Sequence, residues 1–432
     1  MAEKQQALEA IDRERGALEA LSDAIWDHPE VGYRETFAAD ALCAFLEQNG
    51  FQVERGLAGI PTAFCGSYGS GSPVIGLLGE FDALPGMSQK ADCFTEDAAE
   101  AGGAGHGCGH NLLGVGAVAA ALAVKAYLEA GRPGTVKFFG CPAEEGGSGK
   151  GFMARAGVFQ GVDAAFSWHP GEVNSVSTES TMANYQIRYR FHGVSSHAAI
   201  SPELGRSALD ALELMNVGVQ FLREHIPTQT RIHYAITDTG GAAPGVVQAY
   251  AEAMYLLRAP QLPQVKELYD RVNKIAQGAA LMTETTVETE FIKACSNTVL
   301  NTELRKVLQR NLEEIPCDLF DQSDMDFAQK MIETFPYKDP YFEELAAQIG
   351  DIGQREKLLQ DKDSPLHTVV MPLLGEGQSF VSSDVGDVSW NCPVAQIGTV
   401  TMPAGTPMHS WQAVAVGKSP MAHKGMIYAA KV

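Results

Sequence analysis

Three apolar runs typical of buried strands constrain the fold most, because each leads directly into residues with polar or metal-binding side chains. Val74 to Leu78 precedes Glu80-Phe81-Asp82, Thr135 to Gly140 precedes Glu144-Glu145, and Ala164 to Trp168 precedes His169. The segment from Leu112 to Leu128 is rich in alanine and predicts a long buried helix. Strands alternating with helices predict an α/β fold, whose sites lie at strand carboxyl ends and in the loops that follow.

The pattern changes near Thr181, after which polar and apolar residues alternate from Tyr185 to Phe191 as in a half-exposed strand. The order strand, helix, two strands, helix, strand then predicts a ferredoxin-like α+β insertion. We therefore expect a catalytic domain over residues 1–180 and 297–432, with a mixed sheet flanked by helices, and an inserted domain over 181–296. The charged, loop-rich segment 316–380 has no role that the sequence assigns.

Composition excludes several classes of function. The formal net charge of -21 would repel a phosphate backbone, and no basic stripe offsets it, so nucleic acid is not an expected partner. The apolar stretch from Ala117 to Ala126 is too short to span a bilayer and contains Lys125, so we expect no membrane segment. The charged N-terminal segment does not resemble a secretion signal, which predicts a cytoplasmic protein. Eight scattered cysteines do not form a disulfide framework.

A glycine-dense loop from Gly102 to Gly109 carries the first candidate ligands. Cys108 and His110 flank a glycine ahead of the long helix, so a thiolate and an imidazole can turn toward one point. A Cys-x-His triplet alone is more often incidental than a metal site. A loop leading into a helix N-terminus also lowers the pKa of a cysteine, which leaves a thiol enzyme with Cys108 as nucleophile as an alternative.

Glu144 and Glu145 follow a strand, where two adjacent carboxylates repel each other unless a cation or a proton lies between them. Taken alone, the pair is equally typical of a solvated turn, and His169 of a hydrogen-bonded core histidine. Together with Cys108, His110 and the late His409, these residues are too many for one tetrahedral zinc. They indicate two divalent ions about 3.5 to 4 Å apart that share a bridging ligand.

The motifs HPEVGYRE, GEFDALPG, GHGCGHN, CPAEE, SWHP, GVSSHAAISPELGRSALDAL and a late MHS occur in this order along nearly the whole chain. In this the chain resembles the co-catalytic metallo-amidohydrolases, which include hippurate, indole-acetyl amino acid and aminobenzoyl-glutamate hydrolases. GHGCGHN, with Asn111 where many relatives carry Asp, and SSDVGDVSW resemble most the aminobenzoyl-glutamate hydrolases, which consist of two kinds of subunit.

The resemblance implies a role for each matching residue. It implies Cys108, His110, Glu145, His169 and His409 as metal ligands, with Cys108 as the bridge, and Glu144 as general base. Glu80 stands where relatives with a peptidase-type site carry a metal-binding histidine, and Asp82 is implied as a residue that orients a ligand. His106 matches a recurrent residue with a structural role.

Two residues of the insertion also receive implied roles. His197 matches a histidine that reaches the active site of a partner subunit and steadies the oxyanion. The resemblance therefore implies a homodimer through the inserted domain, with residues 181–296 as a lid and dimerisation domain. From the sequence alone, an exposed histidine beside a turn is equally plausible. Arg258 is a candidate for binding the substrate carboxylate, and a surface ion pair explains it nearly as well.

The expected reaction is hydrolysis of the amide bond of an N-acyl or N-aroyl amino acid, with p-aminobenzoyl-glutamate favoured by the resemblance. Other conjugates, such as indole-acetyl or benzoyl amino acids, and dipeptides stay open. The expected cofactors are two divalent ions, manganese or zinc, with cobalt also compatible with the donor types. A non-catalytic chain that needs a second subunit is a further alternative, against which the presence of Glu144 and every expected ligand argues.

Overall fold

The computed structural model describes residues 2–317 and 319–432, which divide into two compact units. The described residues 2–179, 299–317, 319–377 and 388–432 form the first unit, and residues 180–298 and 378–387 form the second. The second unit differs from the inserted domain expected over 181–296 mainly because it also contains the segment 378–387, which was expected in the catalytic domain. This segment belongs to the second unit because it is bonded there: Met182 N–H donates to Val381 O, and Ser296 Oγ donates to Asp387.

Helices and strands of the first unit alternate along the chain before the insertion. The helices are α1 Ala2–Asp27, α2 Thr36–Gln48, α3 His110–Glu129 and α4 Gly149–Arg155. The strands are β1 Gln52–Arg55, β2 Phe64–Ser70, β3 Val74–Glu80, β4 Gly134–Cys141, β5 Ala164–Gly171 and β6 Val173–Val176, followed by the short β7 Glu179–Ser180 at the boundary. The predicted strands and long helix agree with these elements within a few residues.

The second unit is a four-stranded antiparallel sheet with two helices. Its elements are β8 Ala183–His192, α5 Ala208–Arg223, β9 Arg231–Asp238, β10 Tyr250–Ala259, α6 Leu262–Thr283 and β11 Thr286–Cys295. The strand order β11-β8-β10-β9 is that of a ferredoxin-like fold, as predicted, and leaves β9 at one edge. Alternate residues of β8 and β10, including Ile187, Tyr189 and Tyr255, are buried against the two helices.

Apart from residues 378–387, the chain after the insertion completes the first unit. Its helices are α7 Thr302–Glu314, α8 Gln322–Ile332, α9 Tyr341–Ala347, α10 Ile352–Leu358, α11 Val385–Ser389, α12 Trp411–Val416 and α13 Pro420–Lys431, and its strands are β12 His367–Val370, β13 Gly377–Gln378 and β14 Val394–Val400. The segment 316–380, apart from Asp318, which lies outside the described residues, thus contains three short helices and the edge strand β12 of the large sheet.

The large sheet of the first unit has eight strands in the order β1-β2-β4-β3-β5-β14-β6-β12. Four adjacent strands, β4, β3, β5 and β14, run parallel to one another, whereas β2 pairs with β4 and β6 pairs with β14 in antiparallel fashion. The expected mixed sheet flanked by helices is confirmed. Because the four strands are parallel, their carboxyl ends lie at one edge of the sheet, and every candidate ligand follows or ends one of them or begins α3.

Helix α3 is the central helix of this unit's core. It is long and apolar enough to cross a membrane by length and composition, yet 72% of its apolar window is buried inside the protein. It packs against α1, α13 and strand β3, and Trp168 Nε1 donates a hydrogen bond to Leu113 O. The helix therefore holds His110, its first residue, rigidly against the carboxyl ends of the strands.

Candidate metal centre

A glycine with left-handed backbone separates the first two candidate ligands. Gly109 has φ +72° and caps the N-terminus of α3, and a Cβ there would lie 2.9 Å from Cβ of Pro170. A side chain is therefore excluded both by the dihedral angle and by the close approach of β5. This turn brings Cys108 and His110 to the same point as His169, which lies two residues before the end of β5 at Gly171.

Cys108, His110 and His169 form one group of donor atoms that lie within 4.8 Å of one another. The Cys108 Sγ atom is 3.4 Å from Nε2 of His169, and the two imidazole rings meet edge to face at 5.9 Å between centroids. His169 Nδ1 lies 2.7 Å from the carbonyl oxygen of Pro170, to which it donates. That bond leaves Nε2 directed at the thiol sulfur and available to a cation.

A second group with the same spacing consists of Cys108, Glu145 and His409. His409 Nε2 lies 3.6 Å from Glu145 Oε2, and the histidine side chain is about half exposed. The backbone of His409 has φ +53°, a left-handed conformation that non-glycine residues adopt rarely and mainly at functional sites. Cys108 belongs to both groups, so its sulfur lies where a bridging ligand between two ions would be needed.

Glu80, His110 and Glu144 form the third group, which adjoins the first through His110. Glu80 ends β3 and is 2% exposed, and one of its oxygens lies 2.6 Å from the ammonium group of Lys150, which is fully buried. Sequence reasoning missed Lys150, because its only local signal is a lysine in the glycine-rich GGSGKG segment after Glu145.

Asp82 orients the central histidine. Nδ1 of His110 donates to Asp82 Oδ1 at 3.0 Å, and the second oxygen of Asp82 accepts the backbone N–H of Glu145 at 3.0 Å. This hydrogen bonding turns Nε2 of His110 toward the cluster, where Nε2 and Glu145 Oε1 are buried without a hydrogen-bond partner. Buried polar atoms without partners are costly in a folded protein, and here two of them face the same donor groups.

Burial dominates the ionisation of the donors. It raises the pKa of the Cys108 thiol to about 12, although His110 acts in the opposite direction, and lowers the pKa of His169 to about 4. Burial would also raise the pKa of Asp82, but the hydrogen bond and the charge of His110, the backbone N–H of Glu145 and the charge of Lys150 together outweigh it, so the pKa is lowered. The argument for Cys108 as a nucleophilic thiolate is thereby weakened, because its surroundings raise its pKa.

The HPEVGYRE segment supports the loop that carries Glu144. Glu35 is buried and accepts the backbone N–H of Ala143 at 2.8 Å and the hydroxyl of Thr62 at 3.0 Å. The Tyr33 hydroxyl donates to the carbonyl oxygen of Gly147 at 2.7 Å. At Gly32 a Cβ would lie 2.8 Å from that of Ala143, so only glycine permits this approach.

His106 and Asn111, the other polar residues of the GHGCGHN motif, lie in none of the three groups. The His106 Nε2 atom is 3.3 Å from the carbonyl oxygen of Ile25, and the Asn111 amide donates to Ser22 Oγ and to the carbonyl oxygen of Gly417. Both side chains are buried and connect the start of α3 to neighbouring segments of the same unit.

His197 and Arg258 belong to the second unit. The exposed His197 accepts the backbone N–H groups of Ala199 and Ile200 at Nδ1, both at 3.2 Å, so its Nε2 carries the proton and is free to donate. Arg258 is half-buried, and its contacts with Phe380 O and Ser382 Oγ are long, at 3.5 and 3.4 Å. No carboxylate of the described residues forms an ion pair with it.

Residues 76–334 match the model of the peptidase family M20/M25/M40, and this range includes every residue of the three donor groups except His409. The chain belongs to this family. It is 48% identical to one of the subunits of p-aminobenzoyl-glutamate hydrolase from Escherichia coli K12 over 427 residues, which cover 98% of this chain and 89% of that protein.

Two further members of the M20/M25/M40 family show how far the similarity extends. Mouse Xaa-Arg dipeptidase is 34% identical over 300 residues, 66% of this chain and 65% of that protein. The crystal structure of an aminobenzoyl-glutamate utilization protein from Klebsiella pneumoniae covers 97% of both chains with a TM-score of 0.61 at 16% identity, and so shares the fold. As a member of this metal-dependent family, the chain is a hydrolase that acts on amide bonds.

Proposed function

We propose that this hydrolase cleaves the amide bond of an N-aroyl or N-acyl amino acid, with p-aminobenzoyl-glutamate as the preferred substrate, at a centre of two divalent cations. The observation that carries the proposal is the pair of donor groups that share Cys108, with Glu144 in the adjoining group. Support for the substrate comes from the 48% identity over almost the whole chain to the E. coli hydrolase.

The donors present fit two cations. One would be held by Cys108, His110 and His169, and the other by Cys108, Glu145 and His409. The low pKa of His169, caused by burial, keeps its ring neutral as a ligand must be, and the unpartnered Nε2 of His110 and Oε1 of Glu145 would gain a partner. Thiolate and imidazole suit zinc, whereas carboxylate and imidazole also suit manganese and cobalt.

When bound, the cations polarise the substrate carbonyl and lower the pKa of a water molecule. Glu144 then acts as base: it takes a proton from the attacking water as the oxygen–carbon bond forms, and returns it to the nitrogen as the carbon–nitrogen bond breaks. Burial, and next the charge of Glu80, raise the pKa of Glu144, which makes it a better proton acceptor. Asp82 keeps His110 and the backbone of Glu145 in place during these steps.

We also propose roles for two residues of the inserted unit, His197 and Arg258. The Nε2–H of His197 is the right donor for a developing oxyanion, since the backbone occupies Nδ1. Arg258, which has no carboxylate partner among the described residues, would bind the α-carboxylate of the substrate. We propose that His197 acts in the site of a second copy, in a homodimer formed through this unit.

The test is hydrolysis of p-aminobenzoyl-glutamate by the purified single chain, before and after chelation, with zinc, manganese and cobalt added back separately. We expect turnover to disappear with chelation and to return with at least one metal. Benzoyl-glycine, an indole-acetyl amino acid and an Xaa-Arg dipeptide, assayed in parallel, should be cleaved more slowly. Turnover of the dipeptide above that of the aroyl-glutamate would overturn the substrate assignment.

The same assay tests whether a different second chain is needed. The E. coli relative is one of two subunits that carry the name of p-aminobenzoyl-glutamate hydrolase, and the other is 29% identical to this chain over 199 residues. This pairing supports a partner chain for the present protein as well. Full turnover by the single chain would show that catalysis needs no partner. A sample with two bound cations and no turnover on any of the four substrates would instead support the dependence on a second chain.

A further inference from the structure

Glu80, a member of the third donor group, forms a pair with Lys150, and the proposed function assigns neither residue a contact with a cation. Glu80 is the last residue of β3 and Lys150 is the second residue of α4. The ammonium group is fully buried, and Nζ lies 2.6 Å from Glu80 Oε1, the distance of a charge-assisted hydrogen bond. Burying an ammonium group is costly unless an anion compensates it, and Glu80 is the carboxylate that lies against this one.

The other oxygen of Glu80 faces the metal centre. Oε2 lies 3.4 Å from Nε2 of His110, the nitrogen left without a hydrogen-bond partner. The Nδ1 atom of the same ring is bonded to Asp82, so Nε2 is the atom through which His110 would bind a cation. Oxygen and nitrogen donors that face each other at this distance, both out of contact with water, are typical of two ligands of one ion.

The charges of the groups in the centre also support Glu80 as a ligand of a cation. The centre gathers five acidic groups, which are Glu80, Asp82, the Cys108 thiol, Glu144 and Glu145. With all five ionised, two divalent cations leave one negative charge in a region of low dielectric, and Lys150 supplies the charge that compensates it. Its position against Glu80 therefore allows that carboxylate to stay ionised beside a cation.

We propose that Glu80 is a further ligand of the cation that His110 and His169 hold, and that Lys150 is the counter-charge that occupies its second oxygen. The inference rests on the proposed function, because it presupposes the two-cation centre. A thiolate and two imidazoles favour a soft ion. A carboxylate oxygen added to them makes this position more favourable for a hard ion such as manganese.

The first test is direct binding of Mn²⁺ to the metal-free full chain, followed through the electron paramagnetic resonance signal of the free ion, for wild type and Glu80→Gln. The amide keeps the shape and can still accept a hydrogen bond from Lys150, so the variant should fold. We expect one of two binding steps to weaken at least tenfold and the other to stay within twofold. The affinity for Zn²⁺, measured by chelator competition, should fall less than that for Mn²⁺.

The second test addresses Lys150. In Lys150→Met the carboxylate of Glu80 is no longer shared with an ammonium group. The affinity of the same Mn²⁺ binding step should therefore rise several-fold. This rise should be absent in the Glu80→Gln/Lys150→Met double variant. Asp324 and Lys424 form a similar pair at 2.5 Å in the same unit, outside the donor groups. Asp324→Asn and Lys424→Met are therefore the matched controls and should leave both steps unchanged.

The outcomes separate this inference from the proposed function. A wild-type chain that binds fewer than two ions would overturn the two-cation centre itself. A wild-type chain with two ions whose affinities are the same in Glu80→Gln would overturn only the role of Glu80. If the affinity for Mn²⁺ rises as much in the Glu80→Gln/Lys150→Met double variant as in Lys150→Met, the lysine acts on the ion by charge alone. That result would refute its role as the partner of Glu80.

Discussion

Single residues of the centre differ in what they contribute, although they lie within a few ångströms of one another. Cys108 and His110 each take part in two donor groups, whereas His169 and His409 take part in one. Glu144 and Glu145 are adjacent in sequence, yet only Glu145 shares a donor group with Cys108 and His409, and Glu144 joins Glu80 and His110. In the proposed function, one carboxylate of the pair therefore remains for proton transfer while the other binds a cation.

The first prediction concerns this division of roles. Glu144→Gln should retain both bound cations, since Glu144 lies in neither of the groups that share Cys108, and should lose turnover by about 10²- to 10⁴-fold, the usual contribution of a general base. Metal content measured by elemental analysis and the rate of p-aminobenzoyl-glutamate hydrolysis check it. Glu333→Gln, an exposed glutamate at the end of α8, is the control and should behave as wild type. Near-normal turnover in Glu144→Gln would refute the assignment.

At the scale of elements, the centre depends on two segments that contribute no donor. The turn at Gly109 brings the start of α3 against Pro170 of β5, and the HPEVGYRE segment holds the loop between β4 and α4. Ala143 in that loop has φ +58°, so it adopts a left-handed conformation that its neighbours must maintain. The residues at the start of α3 and at the ends of β4 and β5 include most of the proposed ligands, and these segments bring them into register.

The second prediction concerns the turn. Gly109→Ala should lower the free energy of unfolding by about 1 to 3 kcal/mol through the left-handed backbone and the contact with Pro170, and should weaken binding of both cations because Cys108 is displaced. Thermal unfolding and chelator competition measure the two effects. Gly131→Ala is the matched control, with φ +90° and no atom within 4 Å of the added Cβ. Equal behaviour of the two variants would show that the approach to Pro170 has no role.

The third prediction concerns the dependence of stability on pH. Burial raises the pKa of Glu35 to about 7 from its usual 4.5, so the folded chain holds this proton more tightly than the unfolded chain. The contribution to stability is therefore present at acidic pH and is lost as the pH rises from about 4.5 through about 7, at about 1.36 kcal/mol per pH unit. In Glu35→Gln this decline, on the order of 3 kcal/mol, should be absent.

Glu35→Gln isolates the titration because the amide can still accept from Ala143 and can donate to the Thr62 oxygen. Urea unfolding of the metal-free chain at pH 5 and pH 8 gives the measurement, with Thr62→Val as a control that removes one hydrogen bond and leaves the carboxyl group. If wild type and Glu35→Gln lose the same stability between these two pH values, the pKa of Glu35 is not raised.

At the scale of the whole molecule, the second unit presents an apolar surface on α5. Phe221, Val217 and Leu214 lie three and four residues apart, on one face of the helix, and all three are exposed, Phe221 by 69%. Strand β9 of the same unit is an edge strand, with Tyr234 and Ile236 also exposed. An exposed apolar helix face and a free strand edge are both features that association with a second copy would cover.

The fourth prediction follows from the proposed homodimer. Phe221→Lys should convert the dimer into a monomer, and turnover should fall at least tenfold because His197 no longer reaches the site of a partner. Size-exclusion chromatography with light scattering and the hydrolysis assay are the measurements. Leu281→Lys, at an equally exposed apolar position on α6, is the control. A monomeric wild type with full turnover would contradict the proposal.

The sequence alone determined the types of the elements and the chemical identity of the centre. Periodicity and composition are local properties, so strands near Val74, Thr135 and Ala164 and the helix before Leu128 could be predicted to within a few residues. The rule that parallel strands share a carboxyl edge then brought Glu144, Glu145 and His169 to one place. The order of four strands and two helices likewise predicted the ferredoxin-like unit.

Only the tertiary structure decided which side chains face each other. Lys150 pairs with Glu80 across 70 positions of sequence, and Glu35 holds Ala143 across 108, because the order of strands in the sheet brings these segments together. No local pattern encodes such distances, since each pattern reports the periodicity of its own segment. The segment 378–387 was misassigned for the same reason: its bonds are made to residues almost 200 positions earlier in the chain.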